Sequence, residues 1–289
     1  WIEQRLAAGV RSVGGTVVSA GVMPTPGVAF VTADHAFDAG IVISASHNPF
    51  PDNGIKVLQA SGEKVSRDFE RRVEARVLAA KGESPTSDGG TVETADLMDA
   101  YATHLTRIVG DTDLSGVSVA IDCGHGATSE VAPRVLRQLG VMPLALHAAP
   151  DGRNINEASG STHPEALQRE VVARRCRLGF AFDGDGDRVI LVDRLGRLVD
   201  GDGVLFLAAR HLQAAGRLSA NGIVATVMSN FGLEAALSED GIALHRCPVG
   251  DWHVRREMVR RGVCLGGEQS GHIIFSDLLP TGDGLGTAL

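Results

Sequence analysis

The sequence predicts an α/β fold of three consecutive α/β/α domains with mixed, mostly parallel sheets. Two patterns carry that expectation. Short apolar runs alternate with amphipathic helical patterns along the chain, and the apolar runs end in loops rich in glycine and aspartate. Length and composition agree with it: at 289 residues and 44% hydrophobic the chain can bury substantial cores and is long enough for two or three domains.

The first block, residues 1–110, opens in an amphipathic helix carrying Trp1, Ile2, Arg5 and Leu6. Strand-like "GTVVSAG" and "GIVISAS" follow. Two amphipathic helices, "FERRVEARVLAA" and "DLMDAYATHLTRIV", close the block, joined by the linker-like "KGESPTSDGG". The second block, 111–203, reads as strand "VSVAIDCG", helix "EVAPRVLRQLG", strand "VMPLALHA", helix "PEALQREVVARRC" and the strand pair "LGFAFD" and "RVILVD", with a turn in "DRLGRLVDGDG". The third, 204–289, reads as helix "VLFLAARHLQAAG", strand "GIVATVMS", helix "NFGLEAAL", strand "IALHRCP", helix "WHVRREMVRRG" and strand "VCLGGEQSGHIIF". No two blocks are similar enough to mark a duplication. Because the chain starts inside a helix and stops at Leu289 without a capping signal, both ends are expected to be cut.

Charge and cysteine usage narrow the function classes. With 27 basic and 35 acidic residues the formal charge is −8, aromatics make up 4%, and there is no long basic run, so nucleic acid is not an expected partner. The four cysteines, Cys123, Cys176, Cys247 and Cys264, show no C-x-x-C spacing. No signal peptide and no apolar stretch of the roughly 18 residues a membrane span needs is present. A reducing cytoplasm, with no membrane partner, is the expected compartment.

Three polar stretches call for chemistry. In "GIVISASHNPFPDNGIK" an apolar strand ends at Ser46, His47, Asn48 and Pro49. A turn uses Asn and Pro, since Pro49 fixes its own φ and extends Asn48, but it has no need of a serine. In "FDGDGDR", Asp183, Asp185 and Asp187 would lie about 6 to 7 Å apart on a straight strand, too far to share an ion. Gly184 and Gly186 let the backbone curl, so the three carboxylates can converge on one hard cation, most plausibly Mg²⁺, with Arg188 as the one adjacent compensating charge. A solvated hairpin loop is the plain alternative. An EF-hand is excluded, because its sixth position is Arg188 and its twelfth Arg194. In "GGEQSGH", Glu268, Ser270 and His272 alternate, so an extended course would put all three on one surface, suited to a polyhydroxylated ligand. An ordinary surface connection reads equally well there.

Taken in order, the Ser46 loop, the D-G-D-G-D-R loop and the G-E-x-S-G-H loop resemble those of the α-D-phosphohexomutases, over nearly the whole chain. Within that family "ISASHNPF", "NINEASGSTHPEAL" and "GGEQSGHIIF" resemble the branch acting on glucosamine phosphate more than those acting on mannose or glucose phosphates. The resemblance implies four domains, of which this chain would hold most of the first, all of the second and most of the third. It implies that Ser46 is the phosphoserine that donates and regains a phosphoryl group, interconverting glucosamine 6-phosphate and glucosamine 1-phosphate through a 1,6-bisphosphate. Mg²⁺ would sit on Asp183, Asp185, Asp187 and the Ser46 phosphate, with Arg188 as a second cation. Lys56 and His272 would move the proton of the attacking hydroxyl, Lys56 needing a lowered pKa to do so. Glu268, Ser270 and His272 would bind the sugar. The implied partner is a small sugar phosphate, and a homodimer is left open. Activity on mannose or glucose phosphates and a non-catalytic phosphosugar-binding role remain alternatives.

The remaining features have plainer readings. His47 is assigned a local hydrogen-bonding role in the serine loop or a place in the core. "DCGHGAT" lacks the lysine and spacing of a phosphate loop and reads as a tight strand-to-helix turn. "RREMVRR" reads as a solvated helix face. No G-x-S-x-G surrounds Ser46, which counts against a hydrolase nucleophile. Trp252 and His253 stand where the resemblance leads one to expect Arg-Tyr, which puts a basic contact there in question.

Overall fold

A computed structural model describes residues 1–80 and 92–289; the linker-like 81–90 falls outside these described residues. The first block contains helix α1 (Ile2–Ser12), strand β1 (Val18–Ser19), helix α2 (Thr25–Asp34), strands β2 (Ala39–Ser44) and β3 (Gly54–Gln59), helix α3 (Arg67–Ala79), strand β4 (Glu93–Thr94) and helix α4 (Met98–Val109). The second contains strand β5 (Val119–Asp122), helix α5 (Thr128–Gln138), strand β6 (Leu144–Leu146), helix α6 (Glu165–Ala173), and strands β7 (Leu178–Phe182), β8 (Val189–Asp193) and β9 (Leu198–Val199). The third contains helix α7 (Gly201–Ala214), strand β10 (Gly222–Thr226), helix α8 (Phe231–Glu239), strand β11 (Ala243–Cys247), helix α9 (Asp251–Arg261), strands β12 (Leu265–Gly267) and β13 (Ile273–Phe275), and helix α10 (Gly284–Ala288).

The sheets are mixed. In the second block the order is β6-β5-β7-β8-β9, parallel at β6-β5-β7 and antiparallel beyond. In the third it is β11-β10-β12-β13, with only β12-β13 antiparallel. The first block departs from the mostly parallel expectation: β2 and β3 form an antiparallel pair, and β1 and β4 a separate parallel pair. Strands β5 and β10 are buried at every position, as continuous apolar runs in the middle of a sheet covered on both faces must be. Alternation along β5 sorts its side chains between two layers. Val119 and Ile121 pack with α4 and α5 residues such as Leu105, Val131 and Val135, whereas Ala120 packs with Leu167 and Val171 of α6. The same core takes in Met23 and Val31 from the first block and Leu285 from α10, so one apolar cluster joins all three blocks.

Helix α3 forms where expected, with the Ser66 hydroxyl accepting the Phe69 N–H at its start. It has no buried residue, however, and its apolar stripe at Phe69, Val73 and Val77 is 39%, 40% and 67% exposed. Amphipathicity there marks a face without marking a partner. The four cysteines are buried free thiols. Among the described residues no helix is long and apolar enough to cross a membrane.

Helix α10 is tied to α4 by a buried polar contact. The Tyr101 hydroxyl, fully buried, donates to the Asp283 carboxylate at 3.0 Å, and Asp283 caps α10 by accepting the Gly286 N–H at 2.8 Å. Burial pushes the Asp283 pKa up to about 6 against the lowering effect of these hydrogen bonds. A carboxyl whose folded pKa exceeds its unfolded value near 3.8 contributes stability that is complete below the unfolded pKa and lost as pH rises through the folded one. The protein should therefore lose up to about 3 kcal/mol from this group between about pH 4 and pH 6. Asp283→Asn keeps an acceptor for Gly286 and Tyr101 without the charge, so urea midpoints of the variant should fall less than those of the parent across that interval. Parallel pH profiles would show that Asp283 does not titrate there.

Candidate functional site

The Ser46 loop, the aspartate loop and the 266–272 loop are brought together by contacts between the blocks. Strand β2 delivers Ser46 to the sheet edge in the left-handed region, at φ +54, a strained position for serine. Three hydrogen bonds hold it. The Ser46 N–H donates to Ser44 Oγ at 2.9 Å, and the Ser46 carbonyl accepts both the Gly184 N–H at 3.1 Å and Asn156 Nδ2 at 2.7 Å. Its hydroxyl faces Asp183 Oδ2 at 3.5 Å. The expected role of His47 is corrected: that side chain is exposed and makes no hydrogen bond among the described residues, and Ser44 and Asn156 hold the loop instead.

The aspartate loop joins β7 to β8 and curls as its glycines allow. Gly186 sits at φ +71, and a Cβ on Gly184 would lie 2.5 Å from the Ser46 carbonyl oxygen. Asp183, Asp185 and Asp187 are 0%, 2% and 4% exposed, and each offers an oxygen within 4.8 Å of the others. Asp185 is fixed from α2, where the Thr25 N–H donates to its carbonyl at 2.8 Å and Thr25 Oγ1 to Oδ2 at 2.9 Å. Lys56, from β3, forms ion pairs with Asp185 and, at 3.2 Å, with Asp187. The Arg188 N–H donates to Asp183 Oδ1 at 3.1 Å, and its guanidinium approaches Asp187 Oδ1 at 3.8 Å. The "DCGHGAT" turn, a strand-to-helix turn as expected, also buttresses the loop. The Ala127 N–H donates to the Gly184 carbonyl at 2.8 Å, and Gly126 lies so close that a Cβ would be 2.3 Å from that oxygen.

The charges of this cluster are unevenly compensated. Burial, then the charges of Asp187 and Asp185, push the Asp183 pKa well above the usual carboxylate range. Burial acts the same way on Asp187, but Lys56 and His272 overcome it and hold Asp187 well below that range. Burial alone would lower the Lys56 pKa; the facing Asp187 and Asp185 raise it instead. The lowered value that proton transfer by Lys56 calls for is therefore not met in this arrangement, where Lys56 is a fixed cation.

The residues fit a metal ion on two counts. Asp185 Oδ1 and Asp187 Oδ1 are buried without a hydrogen-bond partner, which is unfavourable unless something else meets them, and an all-carboxylate donor set suits a hard divalent cation.

The 266–272 segment corrects the expected extended course. It is the tip of the β12-β13 hairpin: Gly271 sits at φ +90, the Glu268 N–H donates to the His272 carbonyl at 2.9 Å, and the Gly271 carbonyl accepts the Val189 N–H of β8 at 3.1 Å. The three side chains consequently part company. Ser270 is exposed, while Glu268 is 8% exposed and accepts the Gly250 N–H at 3.0 Å. His272, assigned both proton transfer and sugar contact from the sequence, is 1% exposed and engaged at both nitrogens. Its Nε2 accepts the Gly282 N–H at 3.2 Å, which leaves the proton on Nδ1, 3.6 Å from Asp187 Oδ2. Asp187, Asp251 and Glu268 together outweigh its burial and raise its pKa. His272 thus supports Asp187 from behind.

A cavity of about 280 Å³ lies alongside, lined by Lys64, Asp251, Trp252, Arg255, His272 and Thr281 among others. Around the Trp252-His253 pair, cations and acids are interleaved. The Arg67 and Arg256 guanidiniums lie 5.5 and 5.1 Å from the Trp252 ring, Lys64 pairs with Asp251, and Arg255 pairs with Glu63 at 2.8 Å. Thr25 and Asn156 were not singled out as site residues in the sequence. The prolines around Thr25 in "MPTPGV" signal a helix start, and Asn156 lies in the "NINEASGSTHPEAL" stretch that carries part of the family resemblance without a role being evident from it.

Comparison with known proteins matches residues 1–83, 99–196 and 200–289 to phosphoglucomutase/phosphomannomutase α/β/α domains I, II and III respectively. A phosphoglucosamine mutase of Desulforudis audaxviator is 49% identical over 292 residues, covering 100% of this chain and 65% of its own. One from Moorella thermoacetica is 47% identical over 292 residues, covering 100% and 66%. The chain thus spans about 65% of the length of these curated relatives. Among solved structures, a phosphoglucomutase/phosphomannomutase family protein of Burkholderia thailandensis superposes with a TM-score of 0.77 at 28% identity, covering 99% of this chain and 70% of that one. An Aspergillus fumigatus N-acetylphosphoglucosamine mutase, solved with GlcNAc-6P and magnesium, shares the fold at 16% identity, with a TM-score of 0.63 and coverage of 99% and 79%.

Asp185→Asn removes one of three anionic donors while leaving its shape. Calorimetric titration with Mg²⁺ or Mn²⁺ should show affinity reduced by at least about tenfold, with the melting temperature within a few degrees of the parent, since one mutually repelling charge is gone. Unchanged metal affinity would return the loop to a structural turn.

Proposed function

This chain belongs to the α-D-phosphohexomutase family, and from that membership we propose that it is part of a phosphoglucosamine mutase that interconverts glucosamine 6-phosphate and glucosamine 1-phosphate through a 1,6-bisphosphate. The observation that carries the reading is the placement of the Ser46 hydroxyl 3.5 Å from Asp183, at the edge of a buried three-carboxylate cluster that also holds Lys56. Relatives that are 44–49% identical over the whole chain and named phosphoglucosamine mutase favour glucosamine phosphate over the mannose and glucose phosphates.

In this reading the domains run 1–110, 111–203 and 204–289, and each contributes one loop. Phosphorylated Ser46 gives its phosphoryl group to a sugar hydroxyl: the Ser46 Oγ–P bond breaks, a sugar O–P bond forms, and the hydroxyl proton leaves to a base. The second half-reaction reverses this at the other end of the sugar. Asp183, Asp185, Asp187 and a phosphoryl oxygen on Ser46 would hold Mg²⁺, which when bound neutralises charge on the group in transfer. Arg188, 24% exposed at its side chain, adds a second cation at the rim. Lys56, a cation held by Asp185 and Asp187 here, would exchange the hydroxyl proton only after those ion pairs are released and its pKa falls. His272 keeps Asp187 in place. Ser270, exposed at the hairpin tip, would meet the sugar hydroxyls, and Glu268 would do so through the carboxylate oxygen that the Gly250 N–H leaves free.

Ser46→Ala in the full-length natural protein tests the reading. Label from a sugar 1,6-bisphosphate should enter the parent at Ser46, located by mass spectrometry, and should not enter the variant. Mutase turnover should fall by on the order of 10³-fold or more. A variant turning over within tenfold of the parent would remove Ser46 from the mechanism. A parent that binds sugar phosphates yet takes no label and turns none over would be a binding module, and faster turnover of mannose or glucose phosphates would reassign the substrate.

A further inference from the structure

Resting on Ser46 as the phosphoryl carrier, we propose that Asn156 is a positioning residue for the reaction: its side-chain amide clamps the serine loop and sets where Ser46 stands relative to the aspartate loop. The Asn156 Nδ2 group donates both its protons to that loop, one to the Ser46 carbonyl at 2.7 Å and the other to the Asn48 carbonyl at 2.9 Å. Those two carbonyls flank the tight turn that carries Ser46 at φ +54 and continues into Pro49. Serine has little intrinsic preference for that backbone region, so an outside restraint is needed to keep it populated.

Asn156 is itself rigidly held. It is 8% exposed, occupies the left-handed region at φ +59, and its N–H donates to the Gly124 carbonyl at 2.8 Å, in the loop that follows β5. The same loop supports the aspartate loop through the Ala127 N–H and the Gly184 carbonyl. Gly184 then closes the circuit by donating its own N–H to the Ser46 carbonyl at 3.1 Å. The Ser46 carbonyl thus receives two donors, one from each of two segments anchored to a single turn. The Ser46 backbone, and with it the origin of the hydroxyl-bearing side chain, has no freedom to shift along the cluster without breaking one of them. A displacement of about 1 Å in a reacting group can cost on the order of 10²-fold in rate, whereas ligand-binding groups elsewhere in the cleft would be untouched.

The test uses the full-length natural protein with Asn156→Gly, which accepts φ +59 without strain but has no amide, and Asn156→Asp, which keeps the shape and tolerates the conformation but cannot donate. Single-turnover labelling of Ser46 from a sugar 1,6-bisphosphate and steady-state kcat should both fall by about 30-fold or more in each variant. KM for the sugar phosphate and the Mg²⁺ dissociation constant should stay within about threefold of the parent. A kcat within threefold of the parent in either folded variant overturns the proposal. So does a rise in KM with kcat unchanged, which would make Asn156 a substrate contact. Loss of cooperative unfolding in both variants overturns it as well, because Asn156 would then serve folding alone. A parent that takes no label at Ser46 sinks the carrier reading instead, an outcome distinct from a labelled parent with an unaffected variant.

Discussion

Three carboxylates buried within 4.8 Å of one another are the constraint on which the rest of this structure depends. At an effective dielectric of about 20, each ionised pair at such a distance repels by roughly 3 kcal/mol, a large share of the net stability of an ordinary domain, and Asp183 answers that repulsion by holding its proton more tightly than an ordinary carboxylate. The groups that face the cluster come from all three blocks. Lys56 comes from the first, Arg188 from the second and His272 from the third, and every one of them faces Asp187. The aspartate loop therefore draws the other two blocks to itself, and the apolar cluster that runs from Met23 through Phe182 to Leu285 consolidates the assembly.

Close backbone approach does as much as charge. Gly184 lies against the Ser46 carbonyl, Gly126 against Gly184, and Gly271 against the Val189 carbonyl, each at a distance no side chain could occupy. The glycines of these loops let the three polypeptide segments pack backbone to backbone, so that hydrogen bonds such as those from Gly184 to Ser46 and from Val189 to Gly271 replace side-chain contacts. Precision at the site then depends on main-chain geometry, which varies less than rotamers do.

The parts legible in the sequence were those in which residue type and spacing speak locally. Apolar runs separated by helical patterns located the central strands, and D-G-D-G-D announced a convergent carboxylate set because only glycine lets the chain curl between acids. What escaped was set at long range. Asn156 reaches a carbonyl 110 residues away and Thr25 a carboxylate 160 away, and neither carries a local signature of that contact. His272 was misdirected by the assumption of an extended course, although Gly271 was the residue that could have suggested a turn. The amphipathic pattern of α3 announced a helix correctly and said nothing about whether its apolar face would be covered.

The sequence separation of these contacts also has a consequence for how the molecule comes into being in time. Ser46 and Asp183 lie 137 residues apart, and Lys56 and Asp185 lie 129 apart. On a chain made from the N-terminus at about 5–20 residues per second, the serine loop must wait on the order of ten seconds for the aspartate loop to emerge, and His272 comes later still. Each sheet can form from its own neighbouring strands during that interval, since none of the four sheets pairs strands from different blocks. The carboxylate cluster cannot. Its parts meet only after the third block has been made, so a molecule in which the sheets have formed but the blocks have not docked has no assembled cluster.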